Sequence, residues 1–297
     1  MDIEKLVAEN KEFIREDDSR KAQALEQFRE WLSKHPFITN SRTDDAYLVH
    51  FLRTKKYSMD DVFKVFENNL LFRTSRPDWF DTSDQYLDTF RDLAKGGAGY
   101  MLKKKAADGS SVFVINLERL DIEKYKTKDA FAFVFNSLSA YMENEQNQIL
   151  GCTFILNYVK CPLKVIGSFS IRDTVGFTES ASKCAGRFKK YLIVGLPATA
   201  NALLNAGKKV MTEKQRSRLF LCNDLEDLAE HVDKSVLTEY LGGTEPEAEV
   251  IDEFIKVVET NFDKVKEINK FEVDMEKAAA CRNLEESIGS FRTLDID

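Results

Sequence analysis

Hydrophobic residues recur at helical spacing through the first ninety positions of the chain. In one stretch Val62, Phe66 and Leu70 recur every four residues, and Ser58 with Asp61 three positions later gives an N-cap signal before it. Two of the stretches end at prolines, which disfavour helical geometry in the preceding residue. The pattern therefore predicts an all-helical lobe, with helices over residues 2–15, 20–34, 44–55, 58–76 and 83–94.

After glycines at positions 96, 97 and 99 the pattern changes to short apolar runs separated by polar segments. We interpret the glycines as a hinge or turn, because they neither follow a strand nor open a helix as a phosphate cradle would. The apolar runs predict strands over residues 111–117, 152–159, 191–194 and 219–222. Strands that alternate with helices are typical of an α/β fold with a small mixed sheet. We predict a helical lobe over residues 1–95, an α/β domain over 96–250, and a helix and tail over 251–297.

The longest predicted helix, over residues 128–148, carries one continuous apolar stripe. The stripe consists of Phe131, Val134, Phe135, Leu138 and Met142. Periodicity leaves open whether it faces a filled core or a cavity. Residues 160–186 are interpreted as a loop followed by a helix, and helices over 224–231, 235–241 and 246–268 come after them. The polar tail is either loosely attached or wrapped back over the globule.

The chain has a net charge of −7, whereas residues 187–218 are strongly basic. This stretch holds eight Lys or Arg and one Glu, so its local charge is 8 − 1 = +7. Its cations are Arg187, Lys189, Lys190, Lys208, Lys209, Lys214, Arg216 and Arg218. They flank uncharged runs over residues 191–194 and 198–206. A basic rim around an apolar middle favours a surface that meets lipid and anionic headgroups. Nucleic acid is a poorer partner, because the chain is acidic and carries no nucleic-acid-binding motif.

Composition excludes several other classes of protein. With 43% hydrophobic and 31% charged residues, the chain is an ordinary globular protein. It has no run of eighteen apolar residues and no signal-peptide pattern at its acidic N-terminus, so we expect a cytoplasmic protein. Five widely spaced cysteines and three scattered histidines predict reduced thiols and no metal site. Nucleophile-elbow, P-loop and zinc-protease motifs are missing from the sequence, so we expect neither an enzyme nor a cofactor.

Several phrases, in order along the chain, resemble the CRAL-TRIO family. A FLRARKFD-type phrase of the family's helical lobe is matched by FLRTKKYSMDDVF over residues 51–63, and an R-x-x-x-P-x-x-F phrase follows at 73–80. The second half supplies DGSSVFVIN (108–116), YLIVGLP (191–197), KKVMTEKQRSR (208–218) and LTEYLGG (237–243). Within the family the chain is most similar to the branch that includes the α-tocopherol transfer protein and cellular retinaldehyde-binding protein.

This resemblance implies a lipid carrier in which the sheet floors an apolar pocket and a mobile lid helix, over residues 198–211, closes it. The positions implied to contact the ligand are Ile115, Phe131, Val134, Phe135, Leu138, Ile155, Phe188, Tyr191, Leu204, Gly207 and Met211. The positions implied to bind phosphoinositide are Lys55, Arg187, Lys214 and Arg218. The first expected ligand is α-tocopherol, transferred at phosphoinositide-containing membranes. A retinoid, a carotenoid or another lipid is the alternative, as is a lipid-sensing signalling or scaffold role.

The chain departs from the branch pattern in a shorter segment over residues 160–186, in a longer C-terminal tail and in two features that bear on the ligand. Val134 and Leu138 stand where tocopherol carriers have small hydroxyl side chains, so they offer no hydroxyl anchor to the head of a tocopherol. The lid is also unusually rich in small residues, which leaves room for a bulkier or differently shaped ligand. These residues are Ala198, Ala200, Ala202, Ala206 and Gly207.

Overall fold

The computed structural model describes residues 2–283. Its N-terminal lobe confirms the five predicted helices. They are α1 (Ile3–Ile14), α2 (Asp18–Ser33), α3 (Asp45–Thr54), α4 (Met59–Ser75) and α5 (Asp84–Lys95), with a short strand β1 (Ile38–Asn40) between α2 and α3. Side chains of Asp2, Asp17, Asp44 and Ser83 accept backbone N–H groups at four of the helix starts. Ser58 precedes α4, but its hydroxyl donates to Asp61 instead (2.9 Å).

Aromatic residues fill the core of this lobe. Phe28 from α2, Phe51 from α3 and Phe66 from α4 are almost fully buried. The ring of Phe66 lies 5.0 Å from that of Phe28 and 4.8 Å from that of Phe51, centroid to centroid, both in edge-on geometry. Such contacts are the favourable arrangement for aromatic pairs and fix how α2, α3 and α4 pack.

A five-stranded mixed sheet forms the centre of the second domain. Its strands are β2 (Gly99–Met101), β3 (Ser111–Asn116), β4 (Cys152–Asn157), β5 (Phe188–Val194) and β6 (Leu219–Cys222), in the order β2-β3-β4-β5-β6. All neighbours are parallel except β2, which runs antiparallel to β3. The four predicted strands are confirmed. Strand β2 was not predicted, because three residues after a glycine run are too few to show a period of two.

Eight helices of the described chain surround the sheet and complete the domain. They are α6 (Thr127–Tyr141), α7 (Glu145–Leu150), α8 (Leu163–Ser168), α9 (Ile171–Lys183), α10 (Asn201–Val210), α11 (Glu213–Arg216), α12 (Leu225–Ala229) and α13 (Glu247–Ile268). The ring of Phe254 in α13 packs 5.5 Å from that of Phe90 and 5.8 Å from that of Phe133, so α13 joins α5 to α6. None of the helices within residues 2–283 is long and apolar enough to cross a bilayer.

Three expectations about helices are corrected. The single helix over residues 128–148 is broken, because Asn144 accepts the backbone N–H groups of Gln146 and Asn147 and starts α7 as a new helix. Residues 160–186 contain two helices, α8 and α9, where a loop and one helix were expected. The helix expected over 235–241 is only a 3-10 turn (Glu239–Leu241), which ends at the left-handed Gly242.

The chain after α13 returns to the N-terminal lobe. Strand β7 (Glu272–Val273) pairs antiparallel with β1, and residues 275–283 are helical. Ala278 is buried there, and Arg282 forms an ion pair with Glu67 of α4 (3.6 Å). The beginning of the predicted tail is therefore wrapped back over the globule. Its remainder lies outside the described residues.

Candidate functional site

A large cavity of about 240 Å³ lies between the sheet and helices α6, α9 and α10. Side chains of alternate strand positions form its floor, because successive residues of a strand face opposite sides of the sheet. The floor includes Ile115, Phe154, Leu156, Tyr191 and Ile193. The register places Phe154 between Phe113 and Tyr191, so one face of the sheet presents a continuous apolar surface to the cavity.

Ten of the eleven ligand positions implied by the sequence border this cavity. They are Ile115, Phe131, Val134, Phe135, Leu138, Phe188, Tyr191, Leu204, Gly207 and Met211. The eleventh, Ile155, does not. It pairs with Val114 in the register, whereas Ile115 pairs with Leu156, so Ile155 lies on the sheet face opposite to Ile115. The expectation that Ile155 lines the pocket is therefore corrected.

The apolar stripe of α6 faces the cavity and the end of the N-terminal lobe together. The ring of Trp79 lies 4.1 Å from that of Phe131 and 5.9 Å from that of Phe135, centroid to centroid. Phe177 of α9 packs on Phe131 from another side (5.5 Å). This answers the question that periodicity left open: the stripe packs against aromatic rings and borders a cavity as well.

Helix α10 closes the cavity from the side facing away from the sheet. It follows a 3-10 turn (Ala198–Ala200), and its inner side chains include Leu203 and Leu204. Among residues 2–283, no ion pair is made by any residue of α10. At its end, Arg216 of α11 donates to the carbonyl oxygens of Met211 (2.8 Å) and Lys208 (3.3 Å). Apart from that anchor, apolar contact and small-residue packing hold α10 in place.

The end of the cavity at the N-terminal lobe is polar, a feature that sequence reasoning missed. Tyr47 and His50 of α3 border it together with Asn69 and Arg73 of α4. In each helix the two residues are three or four positions apart and so share one face. Neither the Tyr47 hydroxyl nor either ring nitrogen of His50 makes a hydrogen bond to the described residues. Burial lowers the pKa of His50 to about 3, so its imidazole is neutral.

Arg73 is a buried cation without a carboxylate partner among residues 2–283. Its side chain donates to Asn69 Oδ1 (3.2 Å) and to Asn269 Oδ1 (2.7 Å), and its guanidinium lies 4.2 Å from the ring centroid of Phe80. Burial lowers the pKa of Arg73 and is the largest influence on it. A signal was present in the sequence: position 73 continues the stripe of Val62, Phe66 and Leu70, and a charged residue on an apolar stripe is unusual.

Acids do not balance this charge inside the cavity. Glu143 is the acidic residue that borders it, and its carboxylate is already paired with Arg42 (2.5 Å) and approached by Lys264 (3.8 Å). Gln148 uses its amide on Arg53, on the Ala46 carbonyl and on the Met142 carbonyl. At the polar end of the cavity, the groups left without a full set of partners are the Arg73 guanidinium, the Tyr47 hydroxyl and the His50 imidazole. Each of them is a hydrogen-bond donor or can act as one.

The four implied phosphoinositide positions come together on the surface. Burial lowers the pKa of Lys55, the Asp61 carboxylate opposes this, and the charge of Lys214 lowers it further. Burial and then the charge of Arg218 lower the pKa of Arg187 to about 10. These mutual effects require the end of α3, β5 and α11 to be close in space, and no ion pair within residues 2–283 neutralises the four cations.

Lys56 also belongs to this group, although sequence reasoning did not select it. After burial, the charges of Lys214 and Arg187 lower its pKa most. Its ammonium nitrogen lies 3.4 Å from the ring centroid of Phe13, and Phe13 is 59% exposed. Lys56 stands next to Lys55 in a left-handed backbone conformation, which local pattern does not reveal. We define the basic surface as Lys55, Lys56, Arg187, Lys214 and Arg218.

The cysteines and the acidic residues suggest no second centre in the described part of the chain. Residues 2–283 contain no group of three or more His, Cys, Asp or Glu placed to hold a metal ion. The five cysteines are free. Burial raises the pKa of the Cys184 thiol to about 11, so it is protonated at neutral pH.

Comparisons with known proteins found two family matches along the chain. Residues 94–243 match the family described as CRAL/TRIO domain, and residues 17–90 match the one described as Pinta-like, UBA domain. The "Alpha-tocopherol transfer protein-like" protein of Mus musculus is 24% identical over 286 residues, which cover 95% of this chain and 80% of that protein. "Clavesin-2" of Homo sapiens is 24% identical over 234 residues, which cover 75% of this chain and 69% of that protein. The solved structure titled "Crystal structure of Sfh5" has a TM-score of 0.49 at 10% identity, covering 78% of this chain and 89% of that one.

Proposed function

Because the chain belongs to the CRAL-TRIO family of lipid-binding and transfer proteins, which are not enzymes, we propose that it is a cytoplasmic carrier that exchanges a hydrophobic ligand at membranes. The observation that carries this proposal is the apolar cavity closed by α10. A cavity of this kind, with few polar groups, is the usual form of a small-molecule site.

Energetics favour release at a membrane over release into water. Burying on the order of 500 Å² of apolar ligand surface at about 25 cal/mol per Å² gives roughly 12 kcal/mol before ordering costs. Spontaneous loss of the ligand to water is therefore slow. A bilayer removes this penalty, because the ligand passes from one apolar environment to another.

Helix α10 is the element that we propose to open. It makes no ion pair among residues 2–283, so no charge interaction has to be broken. Val210 at its end and Ile171 at the start of the neighbouring α9 are exposed apolar side chains. In the proposed mechanism they enter the bilayer as α10 moves, and the arginine anchor at α11 keeps the displaced helix attached.

The basic surface is proposed to dock the carrier on phosphoinositide-containing membranes. Each Lys or Arg near an anionic leaflet contributes about 1 kcal/mol. Five cations that raise one another's electrostatic cost are stabilised when a multivalent anion binds among them. Lys55, Arg187, Lys214 and Arg218 are the residues proposed to hold the headgroup.

The name of the mouse relative makes α-tocopherol the first ligand to test. A retinoid or a carotenoid is the second class, since Val134 and Leu138 border the cavity without supplying a hydroxyl group. Native mass spectrometry of the purified protein, followed by extraction of the released lipid, identifies the ligand. A lipid-sensing signalling or scaffold role would be favoured if a lipid co-purifies but never moves between membranes.

Transfer between vesicles tests the docking step. We expect Lys214→Ala/Arg218→Ala to slow transfer of fluorescent tocopherol to vesicles that contain phosphoinositide and to leave transfer to neutral vesicles unchanged. The matched control is Lys95→Ala/Lys234→Ala, which removes two exposed cations outside the basic surface. Equal rates for wild type and Lys214→Ala/Arg218→Ala on both kinds of vesicle would overturn the docking role.

A further inference from the structure

The polar end of the cavity has hydrogen-bonding capacity that the protein does not use. His50 and Arg73 are both more than nine-tenths buried, and both border the cavity. The Nε2 atom of His50 is buried without a partner, and the Tyr47 hydroxyl makes no hydrogen bond to the described residues. Buried polar groups are nearly always paired in folded proteins, and leaving one unpaired is costly. An unpaired group on the border of the cavity therefore indicates what the cavity binds.

Charge narrows the class of ligand. Arg73 carries a permanent positive charge, and its recorded hydrogen bonds go to two neutral amide oxygens, those of Asn69 and Asn269. Its Nη2 atom has no hydrogen-bond partner within residues 2–283. The acid that borders the cavity, Glu143, is already paired with Arg42. A buried cation without a counter-charge is unfavourable unless a ligand supplies the anion.

From this arrangement we infer that the cavity takes a carboxylate-headed lipid, with the apolar body against the sheet and α6 and the carboxylate at Arg73, Tyr47 and His50. Arginine is the residue best suited to a carboxylate, since its guanidinium can donate two parallel hydrogen bonds. The neutral imidazole of His50 and the phenol of Tyr47 each donate one more hydrogen bond. The inference rests on the proposed carrier function and narrows it, ranking acidic lipids above the neutral α-tocopherol.

A probe with and without the charge tests the inference directly. The fluorescent fatty acid cis-parinaric acid and its methyl ester share one apolar body and differ only at the head. At pH 7.4, where the acid is ionised, we expect the wild-type chain to bind the acid about tenfold more tightly than the ester, the usual effect of a charge-assisted hydrogen bond. Affinities are read from the rise in probe fluorescence on titration.

Variants assign that preference to Arg73. We expect Arg73→Met to lower the affinity for the acid about tenfold, leave that for the ester nearly unchanged and bring their ratio close to one. The matched control is Arg76→Met, because Arg76 is paired with Asp173 (3.1 Å) and does not border the cavity. Arg73 also bonds to Asn269, so Tyr47→Phe provides a second test that removes one hydroxyl and keeps the ring. It should lower the acid-to-ester ratio about threefold.

The outcomes separate the inference from the function beneath it. If acid and ester bind the wild type with equal affinity, the carrier stands and the carboxylate head is overturned. If neither probe binds at micromolar concentrations, the inference is overturned, and the carrier function is then decided separately by the transfer of fluorescent tocopherol between vesicles. If Arg73→Met weakens acid and ester equally, Arg73 supports the fold alone and the inference is again overturned. A preference for the acid that Arg73→Met and Tyr47→Phe both reduce supports it.

Discussion

Gly207 of α10, the helix proposed to act as a lid, lies directly against Thr178 of α9: a Cβ atom added at Gly207 would stand 3.0 Å from Thr178 Oγ1. That hydroxyl is fixed, because it donates to the Thr174 carbonyl oxygen (2.8 Å). Both residues border the cavity. The absence of a side chain at position 207 therefore lets α10 approach α9 and close the cavity between them.

Replacing this glycine should loosen the lid. We expect Gly207→Val to destabilise the closed position of α10 by about 1–3 kcal/mol, since the added methyl groups overpack against α9. The measurement is the rate at which bound fluorescent lipid leaves for acceptor vesicles, which should rise about tenfold. Ala202→Val, on the exposed face of α10, is the matched control.

A second substitution checks that the contact itself is responsible. Thr178→Ala removes the hydroxyl that opposes position 207, so Gly207→Val in a Thr178→Ala background should recover much of the slow release. Release from Gly207→Val as slow as from wild type would show that this contact does not hold the lid.

Phe13 should strengthen docking on membranes without affecting the cavity. The ring is 59% exposed, lies beneath the ammonium group of Lys56 and has Arg187 5.7 Å from its centroid. Aromatic rings at such positions partition into the headgroup region of a bilayer. We expect Phe13→Ser to weaken sedimentation with anionic vesicles about fivefold, an effect of roughly 1 kcal/mol.

The control for this experiment is Met275→Ser, which removes an exposed apolar side chain that is not part of the basic surface. Affinity for a ligand in solution should be unchanged in both variants, because neither residue borders the cavity. Wild-type vesicle binding by Phe13→Ser would exclude the ring from the docking surface.

Burial of neutral His50 should make the protein less stable in mild acid. Its pKa is about 3 in the fold, against 6.5 ordinarily, so between pH 6.5 and pH 3 the unfolded chain binds a proton that the folded chain does not. Stability therefore falls as pH falls, by about 2 kcal/mol for this residue between pH 7 and pH 5.

Urea denaturation at the two pH values measures this effect. Between pH 7 and pH 5, the free energy of unfolding of His50→Gln should fall by about 2 kcal/mol less than that of wild type. This difference does not depend on the stability of the variant at pH 7. Identical losses in the two proteins would show that His50 is protonated in the fold, contrary to its surroundings.

Arg53 should be among the most sensitive positions for stability. It donates to both carboxylate oxygens of Glu16 (2.7 and 2.8 Å), to Gln148 (2.7 Å) and to Glu145 (2.5 Å), and so joins the N-terminal lobe to α7. Burial alone would raise the pKa of Glu16, but the hydrogen bonds and charge of Arg53 bring it below the ordinary value. Removing one partner of such a buried pair costs about 3–5 kcal/mol.

Chemical denaturation of Arg53→Met tests this expectation. The matched control is Arg29→Met, since Arg29 pairs with Asp45 at the surface and such exposed pairs contribute less than about 1 kcal/mol. If both variants lose a similarly small part of the free energy of unfolding, the hydrogen bonds of Arg53 do not stabilise the contact between the N-terminal lobe and α7.

Local pattern was enough to determine most elements of this fold. The helices of the N-terminal lobe and four strands of the sheet follow from spacing, because periods of 3.6 and 2 report which residues share a face of one segment. The same periodicity did not reveal that α6 ends at Tyr141 and that Asn144 starts a new helix, since the apolar stripe runs to Met142, at the very end of α6. It also missed β2, whose pairing partner is β3 and not a residue nearby in the chain.

The candidate site divides in the same way. Charge along the chain selected Arg187, Lys214 and Arg218, but Lys56 joins them only because α3 ends beside β5 and α11 in space. Resemblance supplied ten positions that border the cavity, and it misplaced Ile155 because the sheet face of a residue depends on the register between two strands.

The sequence by itself determined most of the helices, four strands of the sheet, the basic stretch and the apolar stripe of α6, because each of these depends on residues close together in the chain. Tertiary structure alone decided that Gly207 meets Thr178 and that Arg73, His50 and Tyr47 close one end of the cavity with unused donors. Those relationships join distant segments. Their energies depend on burial and on missing counter-charges, which exist only once the chain has folded.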